Sequence, residues 1–465
     1  MKRLLLFCVV LLTLSGCRNP QAGLLFTKEA PDIFPDYQFV HIPWNIAPLN
    51  FIINNQGNKA IVLIEGPETT LRVKSDRKVQ FPLRKWKKFL LKNKGKTLEV
   101  KLRLKQEKSW VEYPAFEWYV TREAVDPYLV YQRIRPTPTV WANQGIYQRN
   151  LENFDEDCLL DNSFTDADGL NTFAFCAGRP DRLLFHKRRP SAQTYLLVNG
   201  EKTELSQQSF NLMAYPSWHP SGQFVAFAIN HSDLPFYGNI GLPAQLYNPA
   251  SDILVYDVVN KQLITGSELI SKDSYETFPA FSADGRSLYF CTATQTESTQ
   301  KGDISYDLCR LDFYPEDRRF GSRVDTLVRA ERIGRSISFP KPSPDGRFIL
   351  LTLHSGGRFN LWGQDSDLFY YLLKDELHGV KSCYASNSQH AEDYASWSSN
   401  GAWFVFGSRR LNGLSSQLYL SYIDEKERPR KAVLLPIKDP DSYRNPDQIS
   451  CHLPELLLRK AFRME

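Results

Sequence analysis

The sequence lacks the signatures of two large hydrolase classes. It has no G-x-S-x-G motif of a serine nucleophile and no H-E-x-x-H motif of a zinc peptidase. Its eight histidines are scattered, and no two are spaced as metal ligands on one element. His219 stands where other repeats have a serine, so we interpret it as a turn residue. We predict no catalytic residues and no metal site, and the sequence favours a non-enzymatic function.

An excess of charge of one sign is also lacking. The chain has 57 Lys and Arg against 52 Asp and Glu, which gives a net charge of +5. This mild balance does not indicate nucleic-acid binding. Locally, residues 84–108 hold eleven basic groups against Glu99 and Glu107. They form either a contact for anionic lipid or an acidic partner, or the solvated faces of a helix and a strand, and the second interpretation is favoured.

Residues 1–16 have the composition of a cleaved signal peptide. Lys2 and Arg3 precede a run, Leu4–Leu14, that is almost wholly apolar but too short to span a bilayer. The small residues Ser15 and Gly16 that follow suit a cleavage site. We therefore predict an exported protein.

The end of this segment, Leu-Ser-Gly-Cys at residues 14–17, resembles the lipobox of bacterial lipoproteins. The resemblance implies cleavage before Cys17 and lipid on its sulfur. Arg18 is not the aspartate that the same resemblance associates with retention at the inner membrane. We expect an outer-membrane anchor that faces the periplasm. A plain secretory signal with a chance cysteine is the alternative.

The next part of the chain is predicted to form a tether and a small domain. Residues 17–48 are rich in proline and read as a tether. Residues 49–125 contain short alternating segments, of which Leu98–Lys105 alternates strictly. Residues Leu83–Leu91 place Leu83, Trp86, Phe89 and Leu90 on one face and predict a helix. The segment as a whole indicates a β-sandwich-like domain, immunoglobulin-like in a loose sense.

One pattern recurs four times in the second half of the chain, at intervals of 63, 61 and 55 residues. Each copy has an aromatic residue, a short polar stretch, a glycine after Ser, Asp or Asn, and then alternating apolar residues. The residue pair at the glycine suits a tight turn, and the residues after it suit a buried strand. The copies are Tyr215–Ile229, Phe278–Thr292, Phe339–Leu353 and Tyr394–Ser408.

A second pair of strands is predicted after each of these hairpins. Four strands per unit, repeated along the chain, are typical of a β-propeller. Two weaker units, at residues 128–147 and 182–198, precede the four clear ones. We predict an all-β protein in which a six-bladed β-propeller spans residues 126–436 and a tail spans residues 437–465. The ring would have seven blades if a terminus supplied a strand.

The repeat resembles that of the TolB family, whose pattern is aromatic-Pro-x-Trp-Ser-Pro-Asp-Gly. Residues 215–229 and 339–353 keep the proline and the Ser/Asp-Gly pair, and residues 394–408 keep Trp397 and Ser398. The resemblance implies a TolB-like six-bladed propeller lipoprotein of the bacterial envelope. It specifies a fold and says little about function. Propeller peptidases share this repeat type but carry an α/β-hydrolase domain, and with about thirty residues after the last repeat we expect no such domain here.

A second resemblance concerns residues 146–164, which are similar to a group of envelope TolB-like lipoproteins. Several members of that group carry Cys-x-x-Cys-His here, and covalent haem needs both thiols and the histidine. In this chain Cys158 remains, but Asp161 and Asn162 replace the second cysteine and the histidine. We predict no covalent haem and no other cofactor.

Six cysteines follow Cys17, and an exported chain meets an oxidising compartment. Six cysteines allow fifteen connectivities, so the sequence does not assign them. Cys291 and Cys309 lie in neighbouring predicted strands and are either a disulfide or two buried thiols. Cys158 and Cys176 are a second candidate pair.

The sequence favours a docking scaffold that binds an envelope protein or a peptide at one face or in the channel of the propeller. A glycine-containing loop with His354, Arg358, Phe359 and Trp362 suits such contact, although a loop packed on a neighbouring blade would look the same. One alternative is a haem-less member of a redox-associated, cytochrome c-like family. Another is a hydrolase that uses carboxylates in the propeller channel. No nucleic-acid partner is expected.

Overall fold

The computed structural model describes residues 24–134, 144–161, 170–187, 193–205, 213–230, 251–300, 304–355, 365–375, 379–445 and 449–462. Their regular secondary structure is almost entirely β-strand, arranged largely in four-stranded antiparallel sheets. Among them, no helix combines the length and apolar composition needed to cross a bilayer. The all-β prediction is confirmed, and the sheet arrangement is consistent with a β-propeller.

The first part of the chain forms a seven-stranded and a three-stranded sheet, which we call the N-terminal sheets. Their strands are β1 (Leu24–Phe26), β2 (Ile33–Phe34), β3 (Val40–Ile42), β4 (Phe51–Ile53), β5 (Lys59–Glu65), β6 (Thr70–Ser75), β7 (Lys78–Val79), β8 (Thr97–Gln106), β9 (Ser109–Glu112) and β10 (Phe116–Val120). The larger sheet runs β1-β9-β8-β10-β3, with β5 paired to β8 and β6 to β5, and the smaller runs β2-β4-β7. In β8 every second residue is buried near its start, as the alternation predicted.

Helix α1 (Leu83–Lys92) is the predicted helix of this region. Pro82 precedes it, and Leu, Arg and Lys favour the helical conformation along it. Its buried residues are Trp86, Phe89 and Leu90, which share one face because they are three and four positions apart. The ring of Trp86 lies 5.8 Å from that of Trp118, so the helix packs on the sheet through its aromatic face.

The structure differs from the predicted tether at residues 17–48. Residues 24–48 supply β1, β2 and β3 and bury Tyr37, Val40 and Ile42. The Tyr37 hydroxyl donates a hydrogen bond to the carbonyl of Leu434, 3.1 Å away. Strands of two or three residues are too short to show a period in the sequence, and the prolines between them favoured an irregular interpretation. Residues 17–23 lie outside the described residues.

The rest of the described chain forms six four-stranded antiparallel sheets, numbered here from 1 to 6. Sheets 1 to 3 contain, in chain order, β11 (Tyr128–Ile134), β12 (Gln144–Asn150) and β13 (Glu156–Asp161); β14 (Leu170–Cys176), β15 (Arg179–Lys187), β16 (Gln193–Val198) and β17 (Glu201–Glu204); β18 (Met213–Trp218), β19 (Phe224–Asn230), β20 (Ser251–Asp257) and β21 (Gln262–Ile264). Sheet 1 receives its fourth strand from the end of the chain.

Sheets 4 to 6 follow the same order. They contain β22 (Ser274–Phe281), β23 (Ser287–Thr294), β24 (Asp307–Tyr314) and β25 (Arg319–Val328); β26 (Ser336–Pro342), β27 (Phe348–His354), β28 (Asp367–Leu372) and β29 (Val380–Ser382); β30 (Glu392–Trp397), β31 (Trp403–Ser408), β32 (Gln417–Tyr422) and β33 (Val433–Leu434). The last strand is β34 (Ser450–Leu457), and short helical segments are α2 (Glu297–Gln300), α3 (Ala330–Ile333) and a 3₁₀ turn at Pro440–Arg444. The four recurring segments form the first hairpins of sheets 3 to 6.

The turn of each of these hairpins contains the glycine of the repeat with a positive φ, for example +74° at Gly285. A side chain at Gly285 would also meet the ring of His219, whose Nε2 would lie 2.1 Å from the added Cβ. His219 Nε2 bonds the Gly285 carbonyl at 2.9 Å, and Nδ1 bonds Ser221 Oγ at 2.7 Å. His219 thus ties the turn of sheet 3 to that of sheet 4, which is the structural role predicted for it.

The end of the chain is not a free tail. Strand β34 pairs antiparallel with β11, with Leu457 opposite Tyr128 and Leu456 opposite Leu129. On its other sides β34 packs beside β30 and β14. The prediction of a tail at residues 437–465 is therefore wrong for β34, which completes sheet 1. Its polar residues and internal Pro454 weakened the strand signal in the sequence.

The N-terminal sheets and the repeat sheets share one core. Buried residues of both belong to a single cluster of apolar contacts that includes Trp118 and Trp403. The Asp126 carboxylate, at the predicted domain boundary, accepts hydrogen bonds from the backbone N–H and hydroxyl of Ser399 at 2.8 and 2.7 Å. Asn50 donates to the carbonyl of Lys438 at 3.0 Å. These contacts attach the first part of the chain to the last two sheets.

The role of β34 predicts different effects of two adjacent substitutions. Leu457 is fully buried, whereas Leu458 is 50% exposed just after the strand. We expect Leu457→Ala to destabilise the fold by about 2–5 kcal/mol because it leaves a cavity, and Leu458→Ala to change stability by less than about 0.5 kcal/mol. Chemical denaturation followed by fluorescence measures both. Equal effects would contradict the pairing of β34 with β11.

Candidate binding pocket between the inner strands

Four aromatic rings from four different sheets meet at one point. They are the first residues of the recurring segments, Tyr215, Phe278, Phe339 and Tyr394, and we call them the aromatic cluster. The ring centroids of Tyr215 and Phe278 are 4.5 Å apart, as are those of Phe278 and Phe339. Tyr394 lies 4.8 Å from Phe339. Such distances are typical of favourable aromatic contacts, so the cluster joins sheets 3 to 6.

The backbone turns these rings out of their sheets. Tyr215, Phe278, Phe339 and Tyr394 have φ values of 54°, 52°, 49° and 48°, which is the left-handed region. The strand register shifts at each of them, as in a β-bulge. A left-handed residue with a bulky side chain costs on the order of 1 kcal/mol, and the ring contacts offset this cost. Leu453 in β34 has the same conformation, with φ of 51°.

A cavity of about 60 Å³ borders the aromatic cluster, and we call it the shared pocket. Residues of β14, β18, β22, β26, β30 and β34 all line it, so one strand from each of the six sheets reaches it. We call these six the inner strands. The lining is mostly apolar, with four prolines that carry no N–H: Pro216, Pro279, Pro340 and Pro454.

Two charged side chains, Lys341 and Glu455, also line the shared pocket. Each lies two positions after the left-handed residue of its strand. Burial raises the pKa of Glu455 to about 7, and nearby Lys341 acts in the opposite direction. Glu455 Oε2 accepts a hydrogen bond from the Phe175 N–H at 2.8 Å. The pocket therefore offers an ammonium group and a carboxyl group that is about half protonated near neutral pH.

Buried acids lie just before the aromatic cluster in two inner strands. Glu392 and Asp393 precede Tyr394, and Glu276 occupies the position that corresponds to Glu392. Burial raises the pKa of both Glu276 and Asp393 to about 7. Asp393 Oδ1 has no hydrogen-bond partner among the described residues. These groups are the candidates for acid–base chemistry in this part of the molecule.

Glu392 differs from these two acids because its carboxylate is fully engaged. Its Oε1 accepts from the hydroxyls of Ser388 and Ser408 at 2.6 and 2.9 Å and from Arg410 Nη2 at 3.0 Å. This is a structural role. The described residues include no group of three His, Cys, Asp or Glu side chains that could hold a metal ion.

Cys158 and Asp161 of the degenerate haem motif lie in β13, an edge strand of sheet 1. Cys158 pairs with Tyr147 of β12, and Asp161 pairs with Gly145. Asn162 lies outside the described residues. Cys176 ends β14 in sheet 2, where the Arg179 guanidinium contacts its sulfur at 3.0 Å. Neither cysteine forms a disulfide in this structure, so the Cys158–Cys176 bridge is not formed.

The second predicted bridge is also not formed, since Cys291 and Cys309 are free thiols in this structure. The register pairs Cys291 with Leu308, and Cys309 with Phe290. A one-residue offset directs the two side chains to opposite faces of sheet 4. Cys291 and Cys309 indeed belong to separate apolar clusters. The alternative, two buried thiols that pack the sheet, describes the structure.

Of the four residues predicted for the contact loop, only His354 is described. It is the last residue of β27, it is buried, and its Nδ1 lies 3.0 Å from the Ser355 carbonyl oxygen. Burial lowers its pKa. His354 is therefore not an exposed contact residue. Arg358, Phe359 and Trp362 lie outside the described residues, as does Cys17.

Sequence reasoning missed Lys341 and Glu455 as pocket residues. The available signal was the aromatic-Pro pair of three repeats, which recurs at the end of the chain as Leu453-Pro454. Each of the two charged residues follows such a pair directly. This fourth copy lies in the predicted tail and has a leucine in place of the aromatic residue, so the repeat pattern does not include it.

Comparisons with known proteins identify no family for this chain. No protein-family model matches the chain, and no curated protein matches it. Solved structures with some similarity include an acylaminoacyl peptidase in complex with Z-Gly-Gly-Phe-chloromethyl ketone (11% identity, 72% of this chain, 44% of that chain, TM-score 0.36). Another is the uncomplexed acylaminoacyl peptidase of Pyrococcus horikoshii (11% identity, 73% of this chain, 44% of that chain, TM-score 0.36). A third is prolyl oligopeptidase B from Galerina marginata, bound to a 35mer substrate (11% identity, 74% of this chain, 50% of that chain, TM-score 0.35).

This chain thus spans half or less of the length of those structures. At this identity and TM-score the similarity bears on neither the activity nor the detailed architecture of the chain.

The raised pKa of Glu455 predicts a pH-dependent effect of Glu455→Gln. The unfolded carboxyl loses its proton near pH 4.5 and the folded one near pH 7, so wild-type stability falls as the pH rises through this window. Glutamine does not titrate and keeps an oxygen for the Phe175 N–H. We expect the variant to gain on the order of 2 kcal/mol relative to wild type between pH 4.5 and 7.5. Thermal unfolding across this range measures it.

The matched control is Glu425→Gln, which changes an exposed carboxyl. Its stability should follow the wild-type curve at every pH. If the Glu455→Gln curve were also parallel to wild type, Glu455 would not be desolvated in the folded protein.

Proposed function

We propose that this protein is a docking scaffold of the bacterial envelope, built on a closed six-bladed TolB-like propeller. Three contacts support the ring. Inner strands β14, β18, β22, β26 and β30 pack beside one another in chain order. Strand β34 packs beside both β30 and β14, which joins the last sheet to the first. The shared pocket touches all six inner strands, as expected for the axis of a ring.

The N-terminal sheets form the accessory β-sandwich-like domain of this proposal, and a lipid on Cys17 is its anchor. The lipobox-like residues 14–17 support the anchor, and Arg18 supports an outer-membrane location facing the periplasm. Mass spectrometry of the chain extracted in detergent tests this directly. An N-terminus at Cys17 with diacylglyceryl mass supports it, and an unmodified cysteine or another cleavage site overturns it.

The single observation that carries the binding role is the shared pocket. It combines aromatic rings and prolines with one ammonium and one carboxyl group, all held by strands. Concave, mostly apolar pockets with a few placed polar groups are typical ligand sites. At about 60 Å³ the cavity accepts a side chain or a chain terminus and not a whole small-molecule substrate. We infer that a peptide segment of a partner protein lies across the pocket and inserts one residue.

The chemistry of the pocket favours an inserted carboxylate. Among the described residues, no carboxylate lies within ion-pair distance of the Lys341 ammonium, so this group is available to an incoming anion. A protonated Glu455 would donate a hydrogen bond to the same group, which fits its pKa of about 7. An Asp or Glu side chain, or a peptide C-terminus, provides such a carboxylate.

A hydrolase remains the second candidate, because Glu276 and Asp393 combine burial with a pKa raised to about 7. A pair of carboxyl groups, one acting as acid and the other as base or nucleophile, is the arrangement that most glycosidases use. The test is hydrolysis of peptide or glycan substrates by wild type and by Asp393→Asn. Turnover that the variant loses would favour this candidate over the scaffold.

The scaffold proposal predicts a specific effect of Lys341→Ala. Peptides selected from a displayed library against the wild-type protein should bind this variant about tenfold more weakly, because it lacks the ammonium group in the pocket. Lys374→Ala, which alters an exposed lysine in the turn after β28, should leave affinity unchanged. Isothermal titration or fluorescence anisotropy measures both.

Two results would contradict the proposal. One is a library that yields no peptide above background. The other is a set of selected peptides that bind Lys341→Ala as tightly as wild type.

A further inference from the structure

The solvent face of helix α1 and the turn after it carry an unbalanced positive charge. Residues 84–96 contain seven Lys and Arg and no Asp or Glu. The whole chain has a net charge of +5, so the remaining residues carry a net charge of −2. The positive charge of this protein is therefore concentrated in one short segment.

The structure keeps most of these groups in solvent. Arg84, Lys85, Lys88 and Lys92 are exposed on the side of α1 opposite Trp86, and Lys96 is exposed in the turn after the helix. We call these five cations the basic face. None of them forms an ion pair with a described residue. The only cation of α1 that does is Lys87, whose Nζ lies 3.2 Å from Glu152.

Cations of strand β8, in the same N-terminal part of the chain, do form ion pairs. In β8, Lys101 pairs with Glu65 and Glu99, and Arg103 pairs with Glu112. Arg84, Lys88 and Lys92 are spaced four residues apart, and like charges at this spacing destabilise a helix. The basic face thus opposes the helix that carries it, and its neutralisation by an external anion would remove that repulsion.

We propose that the basic face docks on anionic lipid headgroups of the membrane to which the chain is anchored. This part of the argument rests on the proposed lipid at Cys17. Only residues 18–23 separate Cys17 from Leu24, the first residue of β1. Seven extended steps reach about 25 Å at most, so the N-terminal sheets are held close to the bilayer surface.

Apolar side chains accompany the charge. Leu91, in the middle of the segment, is 56% exposed, and Phe26 in β1, nine residues after Cys17, is 75% exposed near the proposed anchor. Exposed apolar residues beside lysines are typical of elements that lie at the membrane interface. An acidic protein surface is the competing partner, and it gives no role to these apolar residues or to the short link from Cys17.

The test uses the full mature chain with Cys17→Ser, so that it carries no lipid. Its binding to phosphatidylcholine vesicles with and without phosphatidylglycerol is measured by co-sedimentation. We expect binding only to the anionic vesicles, and weaker binding as salt is raised. Lys85→Glu/Lys88→Glu/Lys92→Glu should reduce it at least about a hundredfold, since each cation near an anionic surface contributes about fivefold.

The matched control is Lys272→Glu/Lys374→Glu/Lys426→Glu. It makes the same change in net charge at exposed lysines of the repeat sheets, and it should bind nearly as wild type does. Thermal unfolding of both triple variants verifies that they fold.

Three results would overturn the proposal: no binding to anionic vesicles, equal binding to neutral ones, or an equal loss in both triple variants. Binding to polyglutamate that depends on the basic face, without vesicle binding, would identify an acidic protein as the partner. Because the chain used here is unlipidated, these outcomes are separate from the lipidation test, which reads the mass of the native N-terminus.

Discussion

The contact between the aromatic rings of the inner strands is the constraint on which the rest of the structure depends. Tyr215, Phe278, Phe339 and Tyr394 each adopt a left-handed backbone, which an L-residue takes only when the surroundings favour it. The rings meet at centroid distances of 4.5 to 5.5 Å, so the strain of each bulge is balanced by contacts with neighbouring sheets. The same bulges direct the next residues, including Lys341, to the shared pocket. Folding and the site thus have one common cause.

The N-terminal sheets complete this arrangement and are not an independent appendage. Their core is continuous with that of sheets 5 and 6, through residues such as Trp118 and Trp403. Hydrogen bonds from Tyr37 to Leu434 and from Asn50 to Lys438 tie the start of the chain to β33 and to the connection that leads from it into β34. Because β34 packs beside both β30 and β14, the N-terminal sheets support the point at which the proposed ring closes.

Local chemistry explains which parts of this structure were predictable. Gly222, Gly285, Gly346 and Gly401 occupy turns that need a positive φ, so the hairpins of sheets 3 to 6 could be read from the sequence. Helix α1 followed from the spacing of its apolar residues. Strands β1 to β3 are too short to show a period in the sequence. Strand β34 carries a proline and polar residues, and it is a strand because it pairs with β11, more than 300 residues earlier. Two other features depend on the register between strands, which composition does not encode. One is that Lys341 and Glu455 line the same pocket, and the other is that Cys291 and Cys309 do not form a disulfide.

Closure of the sheets through β34 is the central claim, and amide hydrogen exchange on the unmodified protein tests it most directly. The amides of β34 that pair with β11 should be protected as strongly as those of inner strand β22, because both lie in the buried interior of one cooperative unit. Exchange of Ser450–Leu457 at the rate of an unstructured tail, while β22 remains protected, would contradict the account.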